Sequence, residues 1–189
     1  MRVLATVMSI DWIIFIIYWI ISARGTGKSL PYNPKQFFGI RLFMIILAIA
    51  LLFVLHVLPK SIRSHALGST HTSTLVIGFI VFWLGFMFAV WARITIGKNW
   101  GMPMTKKQDT HLVTTGPYKY VRHPIYSGML LMMIGSALVI NIYWLMVLIV
   151  ASVFFIYSAR MEEKQLSKLF PSDYPKYRSH SKMLIPFVF

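Results

Sequence analysis

No cysteine occurs among the 189 residues. Disulfides, thiolate metal sites, a cysteine nucleophile and anchoring through a lipidated cysteine are therefore excluded. Acidic residues are nearly as scarce, with five Asp and Glu against 19 Lys and Arg. Charged residues of both signs make up 13% of the chain, hydrophobic residues 57%, and mean hydropathy is +0.67. A soluble domain of this length would not need so much apolar sequence, so the balance specifies an integral membrane protein. A formal charge of +14 would suggest nucleic acid in a soluble protein. Here the basic residues lie in loops between apolar spans, where lipid headgroups and topology explain them and nucleic acid is not needed.

The first span, Val3 to Ser22, is about 20 residues long, enough to cross a bilayer. It is too long for the apolar part of a cleaved signal and lacks a small-residue cleavage site. Asp11 falls near its middle, where an ionised carboxylate costs roughly 2.5–3.5 kcal/mol on insertion scales. It reads as a structural polar contact. Gly25-Thr26-Gly27-Lys28-Ser29 resembles the tail of a phosphate-binding loop, but the glycine required five residues before Gly27 is Ser22. Leu42 to Leu58 is a second span, ended by Pro59. In the connector that follows, His65 and His71 are poorly spaced for one metal ion and have no acidic neighbour. Thr74 to Ile96 makes the third span, with Arg93 placed to snorkel. Gly85 and Ala89 form a small-xxx-small pair that permits close helix packing.

Ile125 to Ala159 carries no charged residue. As one helix, this run of about 35 residues would extend about 52 Å, against a hydrocarbon core of roughly 30 Å. Two helices with a tight turn near Asn141 fit better. The expected fold is therefore all-α, a polytopic membrane bundle of about five transmembrane helices ending in a helical hairpin. With five spans, every Lys and Arg except Arg2, Lys60 and Arg63 falls on one side. The positive-inside rule then predicts an outside N-terminus and a cytoplasmic C-terminus.

The polar stretch His111 to Gly128, HLVTTGPYKYVRHPIYSG, stands between two apolar segments. It combines a turn at Thr114–Pro117, three tyrosines (Tyr118, Tyr120, Tyr126) and the basic pair Arg122 and His123. Pro124 suits the first turn of a helix, because its missing N–H would be unpaired there anyway. His123 would then stand at or near the cap, with nearby backbone N–H groups facing an anion. The plainer reading is an interfacial loop of aromatic anchors and topology-setting charges.

A second polar cluster, Arg160, Glu162 and Glu163, follows the same apolar run. Phe155, Ala159, Glu162, Leu166 and Leu169 recur at spacings of three and four, which predicts Glu162 on the packed face and Glu163 on the surface. Arg160 and Glu163 are spaced to pair there, a contact usually worth a few tenths of a kcal/mol. Beyond Pro171, Tyr174–Tyr177 and the apolar Met183–Phe189 predict a capping segment laid back on the bundle.

Taken together, LVTTGPYKYVRHPIYSG, an apolar hairpin, RMEEKQL and a tyrosine-containing tail resemble the isoprenylcysteine carboxyl methyltransferases and related membrane phospholipid methyltransferases. The resemblance covers Gly97 to Phe189. It implies an S-adenosylmethionine-dependent enzyme with no soluble Rossmann domain and with its site at the cytosolic ends of the last helices. Residues 1–96 would be three N-terminal spans, and 97–189 the methyltransferase core. Carried over by motif, the cofactor contacts are His111, Leu112, Val113, Tyr118, His123, Pro124 and Tyr126, with Glu162 or Glu163 as the carboxylate. Arg160 resembles the arginine expected near the substrate carboxylate, and Glu162 joins it as a catalytic candidate. Helix N–H groups and His123 would hold the methionine carboxylate, a glutamate its ammonium, and tyrosine faces the sulfonium.

The implied partners are the bilayer and a lipophilic or prenylated acceptor. A carboxylate acceptor needs no general base, which favours it, yet prenylated cysteine, a phospholipid amine and other lipophiles all stay open. Membrane sterol reductases share a related C-terminal pattern and take NADPH, but this chain has Arg-His-Pro where that group typically has Arg-Asn-Pro. A non-enzymatic scaffold or transporter is the third class.

Overall fold

The computed structural model describes residues 2–24, 29–31, 71–101, 105–107, 111–141 and 143–189, with a few positions between 35 and 47. The expected second span, 42–58, and the connector carrying His65 lie almost entirely outside the described residues. Helix α1 (Arg2–Ala23) has no internal proline or glycine. Its buried positions Met8, Asp11 and Phe15 form one stripe, with Trp12 and Trp19 half-buried beside it. Ile10, Ile13, Ile14, Ile17 and Ile21 face outward, as lipid allows. The Trp12 indole stacks on Trp144 at 5.1 Å and donates to Ser136 Oγ at 3.0 Å. Asp11 is buried, and its Oδ2 has no hydrogen-bond partner among the described residues.

A three-residue antiparallel ladder, β1 (Ser29–Pro31) with β2 (Thr105–Lys107), is a minor addition to a helical fold. Helix α2 (Thr72–Ile96) packs antiparallel against α3 (Pro124–Val139). Their seam is made of glycines. A Cβ built on Gly85 would lie 2.5 Å from the Gly128 carbonyl oxygen, and one built on Gly135 would lie 2.5 Å from that of Gly78. The small pair Gly85 and Ala89 thus does what its spacing suggests, with Gly128 as its counterpart. Without a hydrophobic driving force between helices in lipid, such backbone approach is what gives dispersion its contact.

Arg93 departs from expectation. It does not snorkel to water but is buried, stacked over Trp100 at 4.8 Å. Its Nη1 donates to Gly97 O at 2.9 Å and its Nη2 to Ser22 O at 2.5 Å. The carbonyl at the end of α1 supplies a nearby acceptor, so the cation turns inward to a helix C-terminus.

The hairpin falls where the charge-free run predicts. Asn141 accepts from Tyr143 N through its side chain at 3.1 Å, between α3 and α4 (Trp144–Leu169). Helix α1, the span Thr72–Asn99 and α4 are each long and apolar enough to cross a membrane, and α3 is a shorter apolar helix. Pro171 follows the end of α4, and α5 (Asp173–His180) starts with its acid and ends with Arg178 and His180, matching the helix dipole.

The expected capping segment exists, and it is held by backbone. Residues 181–184 run alongside 120–123. Arg122 N donates to Lys182 O at 2.8 Å, His123 N to Met183 O at 3.1 Å, and Lys182 N to Tyr120 O at 3.1 Å. Ser127 Oγ adds a bond to Leu184 O at 2.6 Å. This strap closes the α3 end of the bundle.

Candidate functional site

His123 caps α3, as the Pro124 rule predicts, and its side chain is buried. Its backbone N–H is taken by the strap, and Pro124 has none to offer. One turn along α3, Tyr126 stacks parallel to the imidazole at 5.5 Å, and Phe155 of α4 stacks on Tyr126 at 4.6 Å. This column sets the distance between the two hairpin helices at the level of the carboxylates. Tyr126 donates its hydroxyl to Glu162 Oε1 at 2.7 Å. The tyrosine ring is engaged by protein neighbours, so its contribution runs through the hydroxyl.

The imidazole lies between two acids. His123 Nδ1 is 3.5 Å from Glu162 Oε2, and Nε2 is 3.5 Å from Glu163 Oε1. Both distances are within ion-pair range, but Nε2 makes no hydrogen bond among the described residues. Glu163 has a stronger partner in Arg122, whose Nε donates to its Oε1 at 2.7 Å, with both side chains more than nine-tenths buried. Arg122 Nη1 also donates to Ser181 O, joining the acid to the strap.

The helical face of α4 therefore differs from its predicted register. Ala151, Phe155, Ala159 and Glu163 are buried at strict spacings of four, while Glu162 keeps 23% of its side chain exposed and Leu169 is exposed. Glu163 is the inward acid and Glu162 the more open one. The surface pairing of Glu163 with Arg160 is replaced by the buried pairing with Arg122, and Arg160 is exposed.

Tyr118 is buried in the core cluster that holds Tyr126 and Phe155, and Val113 packs against it. Leu112 is half-buried, and His111 is exposed with its N–H on Asn99 Oδ1 at 3.3 Å. The Tyr118 carbonyl accepts from the Tyr177 hydroxyl of α5 at 2.7 Å. Burial pushes the phenols of Tyr118, Tyr174 and Tyr177 above their ordinary range, reinforced at Tyr118 by Tyr177 and Glu162 and at Tyr174 by Glu163. All three remain neutral near pH 7. The structure thus gathers Tyr118, His123, Pro124, Tyr126, Glu162 and Glu163, and adds Arg122 and the strap. Arg122 was visible in the sequence only as half of a basic pair.

The family model for phospholipid methyltransferases matches residues 73–173, the stretch that contains His123, Tyr126 and both glutamates. The protein-S-isoprenylcysteine O-methyltransferase of Saccharomyces cerevisiae is 35% identical over 117 residues, covering 60% of this chain and 49% of that protein. The Xenopus laevis protein of the same name is 34% identical over 118 residues, covering 60% and 41%. This chain thus matches about half the length, or less, of these curated relatives. The eukaryotic intramembrane Ras methyltransferase ICMT (isoprenylcysteine carboxyl methyltransferase) shares the fold, with a TM-score of 0.60 at 24% identity over 84% of this chain and 55% of that one. Each of these relatives carries a methyltransferase name, and the chain belongs to the phospholipid methyltransferase family.

Proposed function

We propose that this integral membrane protein transfers a methyl group from S-adenosylmethionine to a lipophilic acceptor, the carboxylate of an isoprenylcysteine-like molecule. The observation that carries the reading is the pair of adjacent acids gathered on His123 where the hairpin meets its polar cap. The donor set fits such a cofactor, because a partly exposed carboxylate suits an ammonium, and a buried imidazole whose Nε2 makes no hydrogen bond among the described residues suits a polar group. When bound, the cofactor supplies an electrophilic methyl on a sulfonium sulfur.

The chain's own residues then divide the work. Glu162 binds the ammonium, oriented by the Tyr126 hydroxyl. His123, held by the strap at its backbone and flanked by the two acids, orients the amino-acid end. Arg122 fixes Glu163 and so keeps the imidazole in place. His111, Leu112, Val113, Tyr118 and Pro124 line the remainder. The exposed Arg160 receives the acceptor carboxylate. That acceptor is ionised near neutral pH and needs no base, which leaves positioning as the main contribution of the protein. On this reading residues 97–189 are the catalytic core, residues 1–96 carry it in the bilayer, and the site faces the cytoplasm with the N-terminus outside.

Glu162→Gln is expected to weaken S-adenosylhomocysteine binding about 10- to 100-fold, the equivalent of ~1.5–3 kcal/mol for a charged hydrogen bond. Calorimetry on the folded variant reads this directly. Unchanged affinity in both Glu162→Gln and Glu163→Gln would remove the acids from the site. The family's phospholipid description gives an amine acceptor some weight. A radiolabelled methyl panel of prenyl-thiol carboxylates and phospholipid amines decides, and label appearing only in the amines would sink the carboxylate assignment.

A further inference from the structure

Beyond the strap, the chain closes into a compact turn. Leu184 N and Ile185 N both donate to Phe189 O, at 2.7 and 2.6 Å, and Phe189 N returns to Ile185 O at 3.0 Å. At the tip, Phe187 has a φ of 65°, the only left-handed residue other than glycine among the described residues. Its side chain is 83% exposed, and Ile185, Val188 and Phe189 are exposed beside it. The exposed Tyr120 ring completes the patch, with its centroid 6.5 Å from that of Phe187. A bulky residue held in a disfavoured backbone conformation and turned outward has its aromatic surface uncovered by the described chain.

Three observations say what covers it. The first is depth. Leu184 O accepts from Ser127 in the first turn of α3, so the patch lies where that apolar helix begins. The second is charge. Lys119 Nζ sits 5.8 Å from the Tyr120 ring, and Lys182, also exposed, bonds through its N–H to Tyr120 O. The third is composition: aromatic and aliphatic side chains bordered by lysines match the boundary between hydrocarbon and anionic headgroups.

We propose that residues 184–189, with Tyr120, form an interfacial anchor that inserts into the anionic leaflet bordering the site, with Lys119 and Lys182 on lipid phosphates. The same segment continues into the strap that holds Arg122 and His123, so the lipid surface braces the cap of the site.

The lack of native cysteine makes the test clean. A nitroxide is attached to Phe187→Cys in the full chain, in nanodiscs of phosphatidylcholine with one part in three phosphatidylglycerol. Labels at Ile149→Cys, exposed on a membrane-crossing helix, and at Lys176→Cys, exposed on α5, serve as references. The expected ratio of oxygen to nickel-chelate accessibility at position 187 approaches that at 149 and exceeds that at 176 several-fold. It should fall when phosphatidylglycerol is replaced by phosphatidylcholine. A ratio equal to that at 176 overturns the anchor. So does a label inaccessible to both reagents, or one broadened by a second copy, because protein would then cover the patch. A ratio indifferent to lipid charge overturns the preference for an anionic leaflet. Methyl transfer does not enter the readout, so this inference and the enzymatic one fail separately.

Discussion

Arg122→Ala is expected to destabilise the folded protein by about 3–5 kcal/mol and to abolish methyl transfer. That range is typical when one member of a buried ion pair is removed and the other charge stays behind. Here the stranded group is Glu163, with its side chain 7% exposed. The same truncation removes the bond from Nη1 to Ser181 O, so the strap loses its side-chain tie to the acid. Arg122→Lys should recover part of the stability only. An ammonium on a flexible stem does not reproduce a rigid fork aimed at a carboxylate and a carbonyl together. Stability and activity are separable through the double variant Arg122→Met/Glu163→Leu. Replacing a buried pair by apolar groups of similar volume is often neutral, so melting in detergent should approach the parent value while turnover stays absent. Wild-type turnover in the folded double variant would show that the pair serves folding alone.

Gly128→Ala should lower stability, against the sign that helix propensity gives. In an unencumbered helix the added methyl would stabilise by about 0.8–1 kcal/mol. At Gly128, however, the new Cβ would meet the Gly85 carbonyl oxygen at 2.6 Å and both Ala89 N and Cβ at 2.7 Å. Two of these three atoms are backbone, so no side chain can swing aside and the helices must part. Overpacking of this kind costs about 1–3 kcal/mol, and the upper part of that range applies because both sides are rigid. Gly128 lies five residues after His123, so the displacement also shifts the imidazole relative to Glu162, and turnover should fall with stability. Gly39→Ala is the control, since a Cβ there meets nothing within 4 Å. Equal melting temperatures for Gly128→Ala and the parent would mean that the seam is looser than described.

The long helices were legible because lipid demands long apolar runs, and the turn at Asn141 because the last run is too long for one crossing. The capping role of His123 followed from Pro124. The choice between Glu162 and Glu163 was not legible, for a physical reason. In water an apolar stripe marks the packed face, but in a membrane the outward face is apolar too, so the pattern 155, 159, 162, 166 competed equally with 151, 155, 159, 163. What decides is Arg122, which arrives from a segment about forty residues away and draws Glu163 inward. Arg93 was misread likewise, because one of its two acceptors, Ser22 O, belongs to another helix. The strap is held mostly by main-chain bonds, which leave no side-chain signature.

The brevity of α3 bears on the two reactants of the proposed reaction. Its 16 residues rise about 24 Å, some 6 Å less than a hydrocarbon layer of roughly 30 Å. Were the Val139 end level with the far headgroups, the His123 end would lie ~6 Å inside the near edge of the hydrocarbon layer. On the proposed function, a polar donor would then have to descend only a few ångströms, and a lipophilic acceptor would stay within its own phase. Turnover measured across a series of acyl-chain lengths should peak in thin bilayers, and a flat profile would mean that this depth does not matter to the meeting.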